Sequence, residues 1–188
     1  MKGILKIIKN NKSIYLFLIK LILLYTTWFI CYEIIISQNS SFDRWLTNVD
    51  AQFSKKFLNF IGYEVMINES LNGKVVVWLN GKRMLGISNA CNGQVLYPLF
   101  SAFILATQSH WLNKILMLLV GNGLIFFTNV GRIIGLILIK YYKPNWLDFN
   151  HKYTFMLIVY GLIFILWMVW VQKFSEIQLM NYVKNKTD

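Results

Sequence analysis

A chain of 188 residues is long enough for one domain of ordinary size, and 56% of it is apolar. The apolar residues run in long blocks rather than at amphipathic spacing, which excludes an ordinary soluble fold and points to a membrane protein. The formal charge of +11 sits beside those blocks instead of striping a polar face, so membrane lipid headgroups are the expected counterions and nucleic acid is not an expected partner.

In chain order, Lys2, Lys6, Lys9 and Lys12 precede an apolar run from Ile14 to Ile36, long enough to cross a hydrocarbon core about 30 Å thick. A secretory signal has a shorter apolar core ending in small residues, so this segment is expected to be retained. The positive-inside bias puts the N-terminus in the cytoplasm and residues 37–90 outside. That insert opens with Asp43-Arg44-Trp45. Trp45, Leu46, Val49, Phe53, Phe57, Leu58 and Phe60 then recur at helical spacing, which predicts an amphipathic helix at the membrane interface.

Beyond Gly62 the period changes to two: Tyr63, Val65 and Ile67, then Lys74–Leu79 and Lys82–Ile87 around Asn80-Gly81. Asn-Gly between such runs is a hairpin signal, because both residues tolerate positive φ. Asn72-Gly73 offers a second turn. A small extracytoplasmic β-meander of two or three strands follows, one that needs packing against a helix or the membrane. Leading straight into Cys91, it is expected to wall or lid whatever Cys91 does.

Val95–Ala106, extended to Cys91, is read as a second span, followed by a turn at Gln108-Ser109-His110. Trp111–Ile139 is longer than one span requires and must tilt, break or project. A loop over Tyr141–Asn150 contains Pro144, with Tyr141, Tyr142 and Trp146 as an interfacial belt. Tyr153–Val171 is the last span, and the tail from Lys173 returns to the cytoplasm. Gly131 and Gly135 have the GxxxG spacing of close helix packing. There is no internal repeat, so residues 1–188 are read as a single membrane domain: an all-α polytopic protein with about four transmembrane helices, an extracytoplasmic amphipathic helix and a small meander.

This topology puts Cys91, Arg132 and His151 at one membrane depth on the outer face. Each alone has a plain explanation: a buried small residue, a snorkelling anchor, an interfacial loop residue. Together they are a nucleophilic site, since ionisable residues near a membrane core are costly unless they serve one another. A thiolate is the effective nucleophile, and a neighbouring cation lowers the thiol pKa. Imidazole exchanges protons near neutrality, whereas guanidinium stays charged and suits an oxyanion or carboxylate; the two roles are partly exchangeable. Asn89, Asn92 and Gly93 surround Cys91 with hydrogen-bonding capacity that packing does not require, and Asn129 is placed to orient Arg132. Cys31, on the first span without a polar partner, is read as a packing residue, and His110 falls on the opposite face. With no CxxC pair and no histidine-rich run, no metal and no cofactor is expected.

Ala90-Cys91-Asn92-Gly93 entering a span, Asn129-Val130-Gly131-Arg132 later, and His151 before the last span resemble the exosortase/archaeosortase family over a core from Ile87 to Phe155. The resemblance is to its compact members, including those of Bacteroidetes-type bacteria. It implies a cysteine peptidase or transpeptidase embedded in the cytoplasmic membrane with its active site on the extracytoplasmic face. Its partner would be the C-terminal sorting signal of exported proteins, a short motif followed by a hydrophobic helix and basic residues. Cleavage would be followed by transfer to an acceptor, for which a lipid or a glycan are both open. Many family members have about twice as many spans, and the meander before Cys91 has no counterpart aligned to the family. A non-catalytic assembly protein binding a partner by strand addition is the alternative reading. A quinone-linked thiol oxidoreductase would need paired reactive cysteines, which the outer segments lack.

Overall fold

The computed structural model describes residues 12–36, 41–69, 74–88 and 92–174. Asn89, Cys91 and the Asn72-Gly73 turn lie outside those residues. Helix α1, Lys12–Cys31, continues through a wider π-helical turn at Tyr32–Ile36. Helix α2 is Ser41–Phe60, followed by strands β1 (Val65–Glu69), β2 (Val75–Leu79) and β3 (Lys82–Ile87). Helices α3 (Leu96–Ala106) and α4 (Trp111–Tyr142) come next, then single turns from Pro144 to Thr154 lead into α5, Phe155–Lys173.

Three stretches among the described residues are long and apolar enough to cross a membrane: Ile14–Ile34, Trp111–Tyr142 and Pro144–Lys173. The expected second span is instead an 11-residue helix, α3, which at 1.5 Å per residue rises about 17 Å, half a hydrocarbon core. The chain is thus a multi-pass membrane protein with, among the described residues, three apolar helices of spanning length and one short apolar helix. α3 fails to extend upward because Gly93, at φ +74°, turns the backbone away from helical geometry. Its far end is tied to the end of α5, where Trp170 Nε1 donates to Thr107 Oγ1 at 2.8 Å and Ser109 Oγ donates to the Phe174 carbonyl.

Two hydrophobic cores are stacked along α4. In the membrane-embedded core, Leu96, Phe100 and Ile104 of α3 pack with Met117 and Ile125 of α4 and with Val159, Ile163, Leu166 and Trp170 of α5. The second core sits above it, where Ile133 and Ile137 of α4 meet Ala51 and Leu58 of α2 and Val75, Val77 and Leu79 of β2. The excess length of α4 is therefore a projection: its last turns are the hydrophobic post on which the sheet is built. Lys143 closes the helix by donating its N–H to the Ile139 carbonyl, and Pro144 prevents continuation.

The sheet is an antiparallel meander in the order β1-β2-β3, with Val65 opposite Leu79 and Val75 opposite Ile87. Asn80 (φ +47°) and Gly81 (φ +73°) form the two-residue turn anticipated from the sequence. Tyr141 reaches into this hairpin, accepting a 3.5 Å hydrogen bond from Asn80 Nδ2 and stacking edge-on against Tyr63. It is a packing residue of the sheet rather than a member of an interfacial belt.

The GxxxG expectation is borne out at Gly135 and not at Gly131. A Cβ built at Gly131 would meet nothing, while one at Gly135 would come within 2.5 Å of the Phe155 ring. The closest helix approach is at Gly121, where a Cβ would collide with the fully buried Phe100 ring. Gly121→Ala should therefore lower the detergent-solubilised melting temperature, by an overpacking cost of about 1–3 kcal/mol. Gly131→Ala should leave it unchanged or slightly raised, because alanine is the better helix former.

Candidate active site

The site is built on α2, and its construction begins with a polar stripe. Asp43, Thr47, Asp50 and Ser54 recur at helical spacing and are all buried, none more than 6% exposed. Phe42, Trp45, Phe53, Phe57 and Phe60 on the other side are exposed. The amphipathic helix is thus present, with its aromatic face open as an interfacial helix requires. Its polar face, however, is turned against the protein instead of water. Thr47 and Ser54 satisfy their hydroxyls by donating to the carbonyls of Asp43 and Asp50, one turn back. That leaves the two carboxylates, two turns apart, to reach other elements.

Asp43 reaches the loop that follows Cys91. Asn92 is 1% exposed, and its Nδ2 donates to the Asp43 carbonyl at 3.2 Å, with Asp43 Oδ1 and Thr47 Oγ1 each at 3.5 Å. Asn92 Oδ1 accepts the Gln94 N–H at 3.0 Å, and the Gly93 carbonyl accepts from Leu96 N–H at 2.8 Å, starting α3. Tyr32 Oη donates to Asp43 Oδ2 at 2.6 Å, and the Gln94 amide lies against the same carboxylate. The residues directly after Cys91 are therefore fixed to α2 by side chains.

Asp50 reaches α4. Asn129 Nδ2 donates to Asp50 Oδ2 at 2.7 Å, both residues being fully buried. Asn129 also stands beside the Gly93 α-carbon, as does the Tyr97 ring. Burial pushes the Asp50 carboxyl up to about 7, against the opposing pull of the Asn129 hydrogen bond and the Arg132 charge. Its ionised fraction consequently changes across neutral pH.

Arg132, one turn beyond Asn129, and His151, in the turn before α5, line one cavity of about 330 Å³. Asn92, Gly93 and Gln94 line it as well, and Met156, Val159 and Tyr160 supply its α5 wall. The cavity therefore gathers every described residue expected at the site except Asn129, which stands behind Arg132. Asn89 and Cys91 lie outside the described residues, and Cys91 directly precedes cavity-lining Asn92 in the chain. No described strand residue lines the cavity; the described sheet packs on α2 and α4. His110 precedes α4, about 33 Å along the helix axis from Arg132, and takes no part.

A second cavity, of about 500 Å³ and almost entirely apolar, lies between α1, α2 and α3. Trp28, Trp45, Tyr97 and Pro98 are among its walls, and Gln94 lines both cavities. Among the described residues no cluster of His, Cys, Asp and Glu could hold a metal ion. The sequence reading missed Asp43 and Asp50, although their signal was present as four polar residues at helical spacing.

A family model described as transmembrane exosortase matches residues 2–172. No curated protein and no solved structure matches the chain significantly.

Proposed function

The chain belongs to the transmembrane exosortase family, and from that premise we propose that it is a membrane-embedded cysteine peptidase or transpeptidase. It cleaves the C-terminal hydrophobic sorting signal of exported proteins at the extracytoplasmic face and passes the new carboxyl end to an acceptor. The observation that carries this reading is the shared cavity, in which Arg132 and His151 from separate helical segments face the Asn92-Gly93 loop. Cys91 adjoins that loop in the chain and precedes the N-terminus of α3, whose dipole favours a thiolate.

In the proposed cycle the Cys91 thiolate attacks the scissile carbonyl, and the negative charge moves to the carbonyl oxygen, where Arg132 stabilises it. Collapse of that oxyanion forms a thioester and breaks the C–N bond, His151 giving the leaving amine its proton. An acceptor nucleophile then attacks the thioester, gives its proton to the now neutral His151 imidazole and returns the thiolate. Water as acceptor gives hydrolysis; a lipid or glycan hydroxyl or amine gives transfer. The apolar cavity that shares Gln94 supports lateral arrival of a substrate's hydrophobic segment alongside the site.

The test is co-expression with candidate tail-anchored exported proteins, followed by mass measurement of the new C-terminus. The expected product is a truncated chain, bare or carrying one acceptor mass. The same motif on a soluble protein lacking a hydrophobic tail should stay uncut, because a thiol at the lipid boundary reaches only a bond presented at that depth. Efficient cleavage of the tail-less protein would overturn the substrate class.

A further inference from the structure

We propose that Asp50 is a positioning residue for Arg132, a buried carboxylate on α2 that, held by Asn129, fixes where the guanidinium charge stands in the cavity. This rests on the peptidase reading and adds to it a residue that neither the cysteine nor the arginine motif contains.

A carboxylate in this position has few partners open to it. Asp50 has no exposed surface, so water does not solvate it, and a buried carboxyl is costly unless it is engaged. Its Oδ2 accepts the Asn129 amide at 2.7 Å, whereas Oδ1 receives no hydrogen bond from the described residues. Two groups on neighbouring elements interact with its charge: Arg132 on α4, which favours the ionised form, and Tyr97 on α3, whose own ionisation Asp50 opposes. Arg132 is the only cation of the two. Asn129 and Arg132 are three residues apart and so share one face of α4, the face on which Asn129 holds Asp50. A carboxyl buried this completely is costly to keep, and it is kept for what it does to its partner.

Partners that orient metal ligands typically cost about 10–100-fold in activity when mutated, and the same order is expected for a residue that orients Arg132. Processing by the full-length protein in membranes or detergent should therefore fall by about that factor in Asp50→Asn, normalised to the fraction of Cys91 that a maleimide alkylates. Asp50→Glu, which keeps the charge but adds a methylene, should be the more active of the two. A purely structural role makes the opposite ordering, since asparagine is the isostere and glutamate overfills the site. The loss should appear in kcat with KM little changed, because an interaction needed at the transition state has been displaced. Should Asp50→Asn fail to accumulate, Asn129→Ala retains the carboxylate but removes its tether, and about a tenfold loss is expected there.

Undiminished turnover in Asp50→Asn, or Asn outperforming Glu, overturns the proposal; if only the tether variant can be assayed, undiminished turnover there does the same. Cys91→Ala run in parallel separates the two levels: retained processing there defeats the peptidase reading itself, whereas an inert Cys91→Ala beside a fully active Asp50→Asn defeats only the role given to Asp50.

Discussion

Replacing Cys91 with alanine is expected to abolish processing of the membrane-anchored substrate and every trace of covalent adduct, while the protein still accumulates and melts normally. The effect is the largest expected for any substitution in this chain, because covalent catalysis has no second route once the sulfur is gone. Folding should survive, since the loop after position 91 is held from outside itself. Asn92 bonds to Asp43 and Thr47 on α2, and the Gly93 carbonyl accepts from Leu96 N–H at the start of α3. With wild-type enzyme deprived of acceptor, mass spectrometry should find an acyl adduct on the Cys91-containing peptide. Full processing by folded Cys91→Ala protein would remove the mechanism and leave the assembly-protein reading in possession.

Substitutions of Arg132 come second in expected effect. Arg132→Ala should cost about 10²–10³ in turnover, the usual loss when one donor to a developing oxyanion is removed. Arg132→Lys should recover little of it. An ammonium is a point charge on a flexible stem, and it cannot present the planar fork by which guanidinium engages an oxyanion on one side and a carboxylate on the other. Single-turnover rates measured at saturating substrate distinguish this from weakened binding. A lysine variant with wild-type single-turnover rate would show that only the sign of the charge matters. His151→Ala should behave differently again, because it removes a proton donor: adduct should still form on Cys91, slowly, if imidazole acts on the leaving amine.

Much of this arrangement was legible in the sequence for definite reasons. Asn80-Gly81 specified its hairpin because few residue pairs adopt two consecutive positive φ values. The long apolar blocks located the three spanning helices, because nothing else in a protein needs twenty successive apolar residues. Arg132 and His151 could be paired through topology alone, since helices that cross a membrane return their ends to common depths. The length of α3 was not legible: the polar run before it and the apolar run after it read as continuous, and only the left-handed backbone at Gly93 separates loop from helix. The GxxxG spacing was half informative: Gly135 does meet Phe155, but spacing does not say which face of α4 meets a neighbour, so Gly131 stands open and no motif marks the contact of Gly121 with Phe100. Asp43 and Asp50 were passed over because polar residues on an amphipathic helix are ordinarily wet. Inside a membrane protein the solvent on one side is hydrocarbon, so the aromatic side faces outward and the carboxylates become the interior.

The single unbroken helix that runs through both hydrophobic cores has a metric consequence. From Trp111 to Arg132 it advances 21 residues, about 32 Å, nearly the thickness of the hydrocarbon layer. No proline interrupts it, so the rod is stiff and the height of Arg132 above the far leaflet is a constant of the fold. For the proposed reaction this makes the protein a gauge. The interval between a substrate's basic stop and its scissile bond is dictated by α4. A tail lengthened or shortened by one helical turn arrives about 5 Å out of step, at which range a hydrogen bond to the oxyanion no longer exists.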